Sequence, residues 1–294
     1  MKLRRFSKNL VKTGLKLFII ASISCGCTIS TKPSFLIEEA PQAIREICKN
    51  EYKLDITAKL IGHTFWIYLP LENLLSKPTK PEKYIERFLI ENNSISFADN
   101  RMQANYLIQP IADKESQQEM VIDKKASESI FNILQVVRRV LFSVDQSKDK
   151  QPIFFCIVAA DITNGFEIKE IFYYLDLQKI SYGFISQTEY QHRIIQETSI
   201  SPFIINDKEG RHLIYEDISE EKFIALQIQH RIRLKFQKPE VTKSADIDKE
   251  VLRIIAYTLE AYKYKNLLTL ETNNLRSGNR TILNRASLRS KTNE

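Results

Sequence analysis

Glycine and cysteine are scarce in this chain, and their scarcity excludes several kinds of functional site. Only 7 glycines and 4 cysteines occur among 294 residues, which leaves few of the glycine-rich loops that cradle phosphate groups. The sequence has no phosphate-binding loop, no dinucleotide fingerprint, no Gly-x-Ser-x-Gly nucleophile elbow and no Cys-x-x-Cys metal spacing. We therefore expect no cofactor, no metal and no enzymatic activity.

The chain also lacks an apolar run long enough to cross a bilayer as a permanent helix, which takes roughly 20 residues. Its first 24 residues nevertheless have the layout of a secretory signal peptide. They contain six bases and no acid, and the nearly uninterrupted apolar run 17–23 follows the last base, Lys16. We expect residues 1–24 to direct export and to be cleaved off.

Small residues and two cysteines end this leader. The segment Ser22-Ile23-Ser24-Cys25-Gly26-Cys27 resembles the lipobox of bacterial lipoproteins, with serine at the position where leucine is favoured. The resemblance implies that one cysteine is lipidated, and the residues before Cys25 favour it over the alternative, Cys27. Acyl chains such as palmitate would then anchor the protein to a membrane of the cell envelope, facing the periplasm or the exterior.

An organellar transit peptide is the alternative address. The first acid of the chain is Glu38, and the leader contains several serines, as transit peptides do. Transit peptides are amphipathic, however, whereas residues 17–23 are apolar on nearly all sides. Export to a bacterial envelope is therefore the preferred interpretation.

Positive charge is concentrated at the two ends of the chain. The formal net charge is +7, but six bases lie in residues 1–24 and five bases face one acid in residues 274–294. The body between them is mildly acidic, which argues against nucleic-acid binding, because phosphates are bound by clustered lysine and arginine. We expect residues 25–36 to be a tether and residues 274–294 to be a disordered basic tail.

The body of the chain has the patterns of an α+β fold. Two segments, 37–69 and 128–175, each have the order helix, strand, turn, strand, so they are candidates for two similar α-β-β units. We predict one domain over residues 37–273, with a mixed or antiparallel sheet, packed helices and further helices near the C-terminus. Its possible subdivisions are 37–114, 121–240 and a C-terminal helix over 247–271.

Several shorter patterns refine this prediction. Residues 153–162 are apolar nearly throughout, which is typical of a central strand covered on both faces. Asn164-Gly165 predicts a type I′ hairpin turn after it. Weaker patterns predict the remaining elements: a short helix at 84–89, a strand at 106–111, a helix at 188–197 and a turn at 206–210.

The most polar constellation consists of His192, Asp207, Glu209 and His212. Two imidazoles and two carboxylates are ligand types of metal sites. Their spacing matches no known pattern, and residues 207–212 have the composition of a solvated turn. We therefore interpret these residues as structural and predict no metal site.

Three further residues are of types that take part in catalysis or disulfide formation. Asp161 ends the apolar strand and is interpreted as a turn residue rather than a catalytic acid. Cys156 lies inside that strand, where burial disfavours a reactive thiolate. An oxidising compartment would permit a bridge between Cys48 and Cys156, but two separate buried thiols are the preferred prediction.

An aromatic cluster remains as a candidate ligand groove or partner surface, although core packing explains it equally well: Phe172, Tyr173, Tyr174, Tyr182 and Phe184. From these observations we predict an envelope lipoprotein without turnover that binds or positions another envelope protein. The alternatives are a lipid-tethered hydrolase with a dispersed active site and a lipoprotein that binds a small ligand.

Overall fold

The structure is a computed structural model that describes residues 36–117, 119–144, 153–238 and 240–288. The predicted leader, including Cys25 and Cys27, lies outside the described residues, as does most of the tether. No helix in the described ranges is long and apolar enough to cross a membrane.

The described chain contains both helices and strands, as predicted for an α+β fold. The helices are α1 Ala40–Tyr52, α2 Lys124–Phe142, α3 Tyr174–Ser181, α4 Gln187–Arg193, α5 Glu220–Phe236 and α6 Ile247–Ala261, with 3-10 turns at Ile37–Glu39 and Pro202–Ile204. The strands are β1 Thr57–Ile61, β2 Thr64–Leu71, β3 Leu75–Ser76, β4 Lys83–Ala98, β5 Arg101–Gln117, β6 Val121–Ile122, β7 Phe154–Asp161, β8 Phe166–Tyr173, β9 Ile195–Ile200, β10 Thr269–Asn274 and β11 Arg280–Asn284.

The first sheet has five strands in the order β1-β2-β7-β8-β9. β2 and β7 run parallel at its centre, and the other neighbours are antiparallel. Every residue of β7 is buried, because helices or loops cover both faces of this strand. The prediction of a mixed sheet around a central strand at 153–162 is confirmed.

Alternation along β2 separates the two hydrophobic cores of the protein. Phe65, Ile67 and Leu69 pack with α1 and α2 on one face. Trp66 and Tyr68 point to the opposite face, where α5 and α6 pack. Both cores receive aromatic or branched side chains from one strand, so this sheet is the middle layer of the protein.

The second sheet has the order β11-β10-β5-β4 and is built around a long hairpin. β4 and β5 are antiparallel, and their pairing extends from the pair Lys83 and Gln117 to the pair Ala98 and Arg101. β10 runs parallel to β5. α5 packs against β4 and joins this sheet to the core that contains Trp66.

Four predictions of local structure are wrong. Residues 84–89 belong to β4 instead of a helix, and residues 195–197, which were predicted as the end of a helix, belong to β9. The last predicted helix, 247–271, ends at Ala261. β11 lies within the segment 274–294 that was expected to be a disordered tail, and residues 289–294 lie outside the described residues.

The turn after β7 also differs from the predicted type I′ geometry. Gly165 has φ +71°, but Asn164 is not among the residues with positive φ. The Gly165 amide donates to the Asp161 carbonyl at 2.9 Å, so residues 162–165 form a longer connection. The Asp161 side chain accepts bonds from the amides of Thr163 and Asn164 at 3.1 and 2.8 Å, and this favours a wider turn.

The two described cysteines are separate buried thiols, as predicted. Cys48 lies on α1 in the core with α2, whereas Cys156 points to the opposite face of the sheet. Burial raises the pKa of the Cys48 thiol to about 11 and that of Cys156 further. Neither side chain has the lowered thiol pKa of a nucleophilic cysteine.

Candidate functional site

The connection between β9 and α5, residues 201–219, lies along β2 and carries most of the candidate site. Trp66 Nε1 donates to the Glu216 carbonyl at 2.8 Å, and the Tyr68 hydroxyl donates to the Asp207 carbonyl at 2.5 Å. Thr64 Oγ1 accepts from the Ile218 amide at 2.8 Å. Thr64, Trp66 and Tyr68 are every second residue of β2, so their side chains point to the same face of the sheet and hold the connection against that face.

Asp207 shapes the turn at the centre of this connection. Its Oδ1 accepts from the amides of Glu209 and Gly210 at 3.0 and 2.9 Å. Gly210 has φ +72°, and an added Cβ would lie 2.8 Å from Cγ of Tyr68 and 2.6 Å from the hydroxyl of Tyr215. Glycine is therefore required both by the left-handed backbone and by the close approach of two rings.

The same aspartate is one of two carboxylates that hold His212. His212 Nδ1 lies 2.5 Å from Asp207 Oδ2, and Nε2 lies 2.8 Å from Glu167 Oε2 on β8. The three side chains are 9 to 13% exposed, and the Tyr68 ring meets the imidazole edge-on at 5.7 Å. We call Glu167, Asp207 and His212 the His212 cluster.

The cluster favours a protonated imidazole. Burial lowers the pKa of His212, but hydrogen bonds and charge interactions with Glu167 and Asp207 outweigh it, so the pKa is raised above its ordinary value. Burial alone would raise the pKa of Asp207, yet bonds from backbone amides and from His212 hold it well below its usual range. An imidazolium between two carboxylates donates from both nitrogens and has no free lone pair.

Two open clefts adjoin the His212 cluster. The first, of about 630 Å³, is lined by residues 201–212, including Asp207 and His212. The second, of about 540 Å³, is lined by Glu167, by Lys169 and by the side chains of β9. Ser199 in the second cleft donates to Glu167 Oε1 at 2.7 Å. Glu167 therefore lies between the clefts. Its Oε1 bonds to Ser199 of the second cleft, and its Oε2 bonds to His212 of the first.

Large apolar side chains are exposed on residues that line the first cleft or are close to them in sequence. Phe203 is 77% exposed and lines it together with Ile205. Ile200 ends the edge strand β9 at 80% exposure, and Ile214 is 86% exposed two residues after His212. We call Ile200, Phe203 and Ile214 the apolar rim. Exposed apolar groups next to satisfied polar groups are typical of protein-binding surfaces.

The structure brings together only part of the polar constellation identified from the sequence. Asp207 and His212 are in contact, whereas His192 lies on α4 and Glu209 forms an exposed ion pair with Arg211 at 2.8 Å. In the described ranges no group of three or more His, Cys, Asp and Glu side chains is arranged to hold a metal ion. Glu167 and Tyr68, which complete the site, were missed because they are distant in sequence and resemble ordinary strand residues.

The aromatic cluster identified from the sequence is divided among different environments. Phe172 stacks on Phe155 inside the core, with ring centres 4.6 Å apart. Tyr173 faces the other core, next to Phe223. Tyr182 and Phe184 are exposed on the surface at 68 and 78%. These aromatic residues therefore do not form one groove.

Comparison of the chain with models of protein families, with curated proteins and with solved structures finds no match.

Proposed function

We propose that this protein is a lipid-anchored component of a bacterial envelope whose domain binds another envelope protein without turnover. One observation carries the binding part of this proposal. The apolar rim remains exposed near the His212 cluster, whose charged groups already satisfy one another. Such a surface offers apolar area to a partner without leaving a buried charge unpaired.

The connection 201–219, which carries Phe203 and Ile214 of the rim, is fixed to the sheet in the absence of a partner. Side chains of Thr64, Trp66 and Tyr68 bond it to β2, and His212 ties it to Glu167 on β8. A segment fixed in this way loses little conformational entropy on binding. Phe203 and Ile214 are therefore suited to act as anchor residues of an interface.

The same contacts support binding over catalysis at this site. His212 bonds a carboxylate with each ring nitrogen, so it cannot accept a proton from a substrate without losing one of these partners. Ser199 donates to Glu167 and not to the imidazole, which differs from a nucleophile with its base. A hydrolase acting through His212 would need the cluster to rearrange.

The anchor part of the proposal rests on the leader sequence. Cys25 and Leu36 are separated by 11 residue steps, which reach at most roughly 40 Å when fully extended. The domain would therefore stay close to the membrane, and a partner would be a membrane protein or another protein held near the same surface. This geometry favours an accessory role within an envelope assembly.

Comparative capture tests the binding proposal. Membranes from cells expressing the full chain are crosslinked, and partners retained by the native chain are compared with those of Phe203→Ser and Ile214→Ser. The matched control is Leu268→Ser, because Leu268 is 63% exposed outside the rim. Loss of a retained protein in both rim variants but not in the control is expected. Equal retention by all four chains contradicts the proposal.

A further inference from the structure

A third cavity lies at the opposite end of β2 from the His212 cluster. It has a volume of about 300 Å³ and lies between the start of β7, the end of β8 and the start of α5. Its apolar lining consists of three isoleucines and four aromatic rings, from Phe154, Tyr173, Phe223 and Tyr262. We call it the aromatic pocket.

The four rings form a contiguous wall. Tyr173 contacts Phe154 and Phe223 in tilted arrangements, with ring centres 5.7 and 5.6 Å apart. Tyr262 meets Tyr173 and Phe223 edge-on at 5.5 and 5.1 Å. Phe154 and Phe223 are almost fully buried, whereas Tyr173 is partly exposed. The rings are therefore fixed by one another, and Tyr173 is the ring most open to a ligand.

The polar lining consists of two carboxylates, the His63 imidazole and a serine. Asp217 and Glu220 contribute the carboxylates, and among the described residues that line the pocket there is no lysine or arginine. Asp217 accepts from the His63 amide at 2.8 Å and from Thr64 Oγ1 at 3.1 Å, and its other oxygen lies 3.6 Å from His63 Nδ1. Glu220 is exposed in the first turn of α5, next to Glu221. The electrostatic potential of the pocket is thus negative from two sources, carboxylates and the faces of aromatic rings.

We propose that the aromatic pocket binds a small organic cation that carries an alkylammonium group of about the size of choline. Aromatic faces attract such cations, and desolvation in a pocket strengthens the attraction. The volume lies at the lower end of the range for ligand sites, which suits a small molecule. An anion would meet two carboxylates and no lysine or arginine in the described lining, and an uncharged apolar ligand would leave the Glu220 carboxylate without a counterpart.

The protein already uses one of these rings in the same way. The Arg193 guanidinium lies 5.8 Å from the centre of the Tyr262 ring. Arg193 is itself neutralised by Asp176 at 2.8 Å and by Glu189 at 2.7 Å. A ligand cation at the pocket would therefore meet the exposed Glu220 carboxylate and would not be repelled by a free arginine. This binding site is separate from the apolar rim, so its test does not depend on the proposed protein partner.

Calorimetric titration of the full chain with choline tests the proposal. The control ligand is the uncharged carbon isostere of choline, in which a tert-butyl group replaces the trimethylammonium group. Choline is expected to bind at least about tenfold more tightly than the isostere, since only the cation interacts with the ring faces and carboxylates. Equal affinity for the two ligands, or no heat from choline at millimolar concentration, overturns the proposal.

Variants locate the binding to this pocket. Tyr173→Leu removes the open ring, and Glu220→Gln removes an exposed carboxylate without changing its shape, so the second variant remains informative if the first fails to fold. Each is expected to weaken choline binding by about threefold to tenfold. Glu209→Gln, at the other cleft, is the matched control and should bind normally. Unchanged affinity in both pocket variants would show that choline binds elsewhere and would refute this assignment.

Phosphatidylcholine vesicles separate two sources of the same alkylammonium group. If vesicles compete with free choline for the pocket and phosphatidylglycerol vesicles do not, the ligand is the headgroup of a lipid. If choline binding is unaffected by either vesicle, the ligand is a free solute. Both results support an ammonium site, and both require the Tyr173 and Glu220 variants to weaken binding.

Discussion

Replacing His212 with glutamine should destabilise the protein and remove part of its pH dependence. The substitution keeps a polar side chain but removes the charge and one of two simultaneous donors to Glu167 and Asp207. Hydrogen bonds to charged groups contribute about 1.5–3 kcal/mol each, and an unpaired buried carboxylate adds a penalty. Since the three side chains are about nine-tenths buried, we expect a loss of about 2–4 kcal/mol in the free energy of unfolding near pH 6.

The sign of the pH effect follows from the raised pKa of His212. The folded protein holds the proton more tightly than the unfolded chain, whose histidine titrates near pH 6.5. The stabilisation is therefore fully present below about pH 6.5 and is lost as the pH rises through the higher folded pKa. Within that window one proton changes the free energy of unfolding by at most about 1.4 kcal/mol per pH unit.

Denaturant unfolding between pH 6 and pH 9 measures both effects. The difference between native protein and His212→Gln should be largest at pH 6 and should shrink as the pH rises. His192→Gln is the matched control, because the same substitution on α4 leaves the His212 cluster intact. Parallel pH curves for the native protein and His212→Gln would refute the protonated cluster.

Three further predictions concern a glycine, a buried carboxyl and the anchor. Gly210→Ala should lower the free energy of unfolding by about 2–4 kcal/mol, because the added methyl group clashes with Tyr68 and Tyr215 at a residue with positive φ. The control is Gly183→Ala, where φ is also positive but no atom lies near the added methyl group. It should lower the free energy of unfolding by only about 1–2 kcal/mol in the same thermal or denaturant assay. Burial raises the pKa of Glu170 to about 7, so the protonated form is favoured in the folded state and stability falls as the pH rises from about 4.5 through 7. Glu170→Gln should therefore stabilise the protein by about 1–3 kcal/mol at pH 8 and change little at pH 4, and equal effects at both pH values would contradict this. Cys25→Ser should abolish palmitate labelling and leave unprocessed precursor, whereas Cys27→Ser should leave both labelling and processing unchanged. The reverse result would move the anchor to Cys27. Labelling that survives loss of both cysteines would exclude lipidation at either residue.

The strands of the first sheet were predictable because their burial is regular. Along β2 every second residue enters the same core, and β7 is buried at every position. Period-two alternation and continuous apolar runs are the direct consequence of these environments. The sequence between Ile153 and Tyr173 therefore contained enough local information to identify a hairpin.

The strand predicted at 106–111 is part of β5, but the rest of the second sheet was missed because its stability comes from distant partners. Residues 84–89 have a helix-like spacing, but β5 pairs with them and ion pairs such as Lys83 with Glu115 and Lys114 with Glu86 connect the two strands. β10 buries Thr272 and Asn274 as well as Leu270. Polar residues at buried positions conceal a strand, since hydrophobicity is the main signal of local pattern analysis.

The candidate site was predicted only where its members are close in sequence. Asp207 and His212 are separated by five residues, whereas Glu167 is 45 residues from His212 and is positioned by the β8 strand. An acidic residue in a half-exposed strand carries no distinctive signal. The contact of Glu167 with His212 depends on tertiary structure, because β9 pairs with β8 and the connection after β9 places His212 next to Glu167.

Residues 201–219 connect the two proposed binding sites. The Tyr68 end of β2 holds Asp207 of the His212 cluster, and the Thr64 end holds Asp217 of the aromatic pocket. Four residues of strand separate these ends by roughly 13 Å. Because intermediate bonds such as that from Trp66 fix the segment to the sheet, a substitution at one end need not displace the other. We therefore expect choline binding to survive Phe203→Ser, and partner capture to survive Glu220→Gln. Loss of both functions in either variant would instead show that the segment moves as a unit.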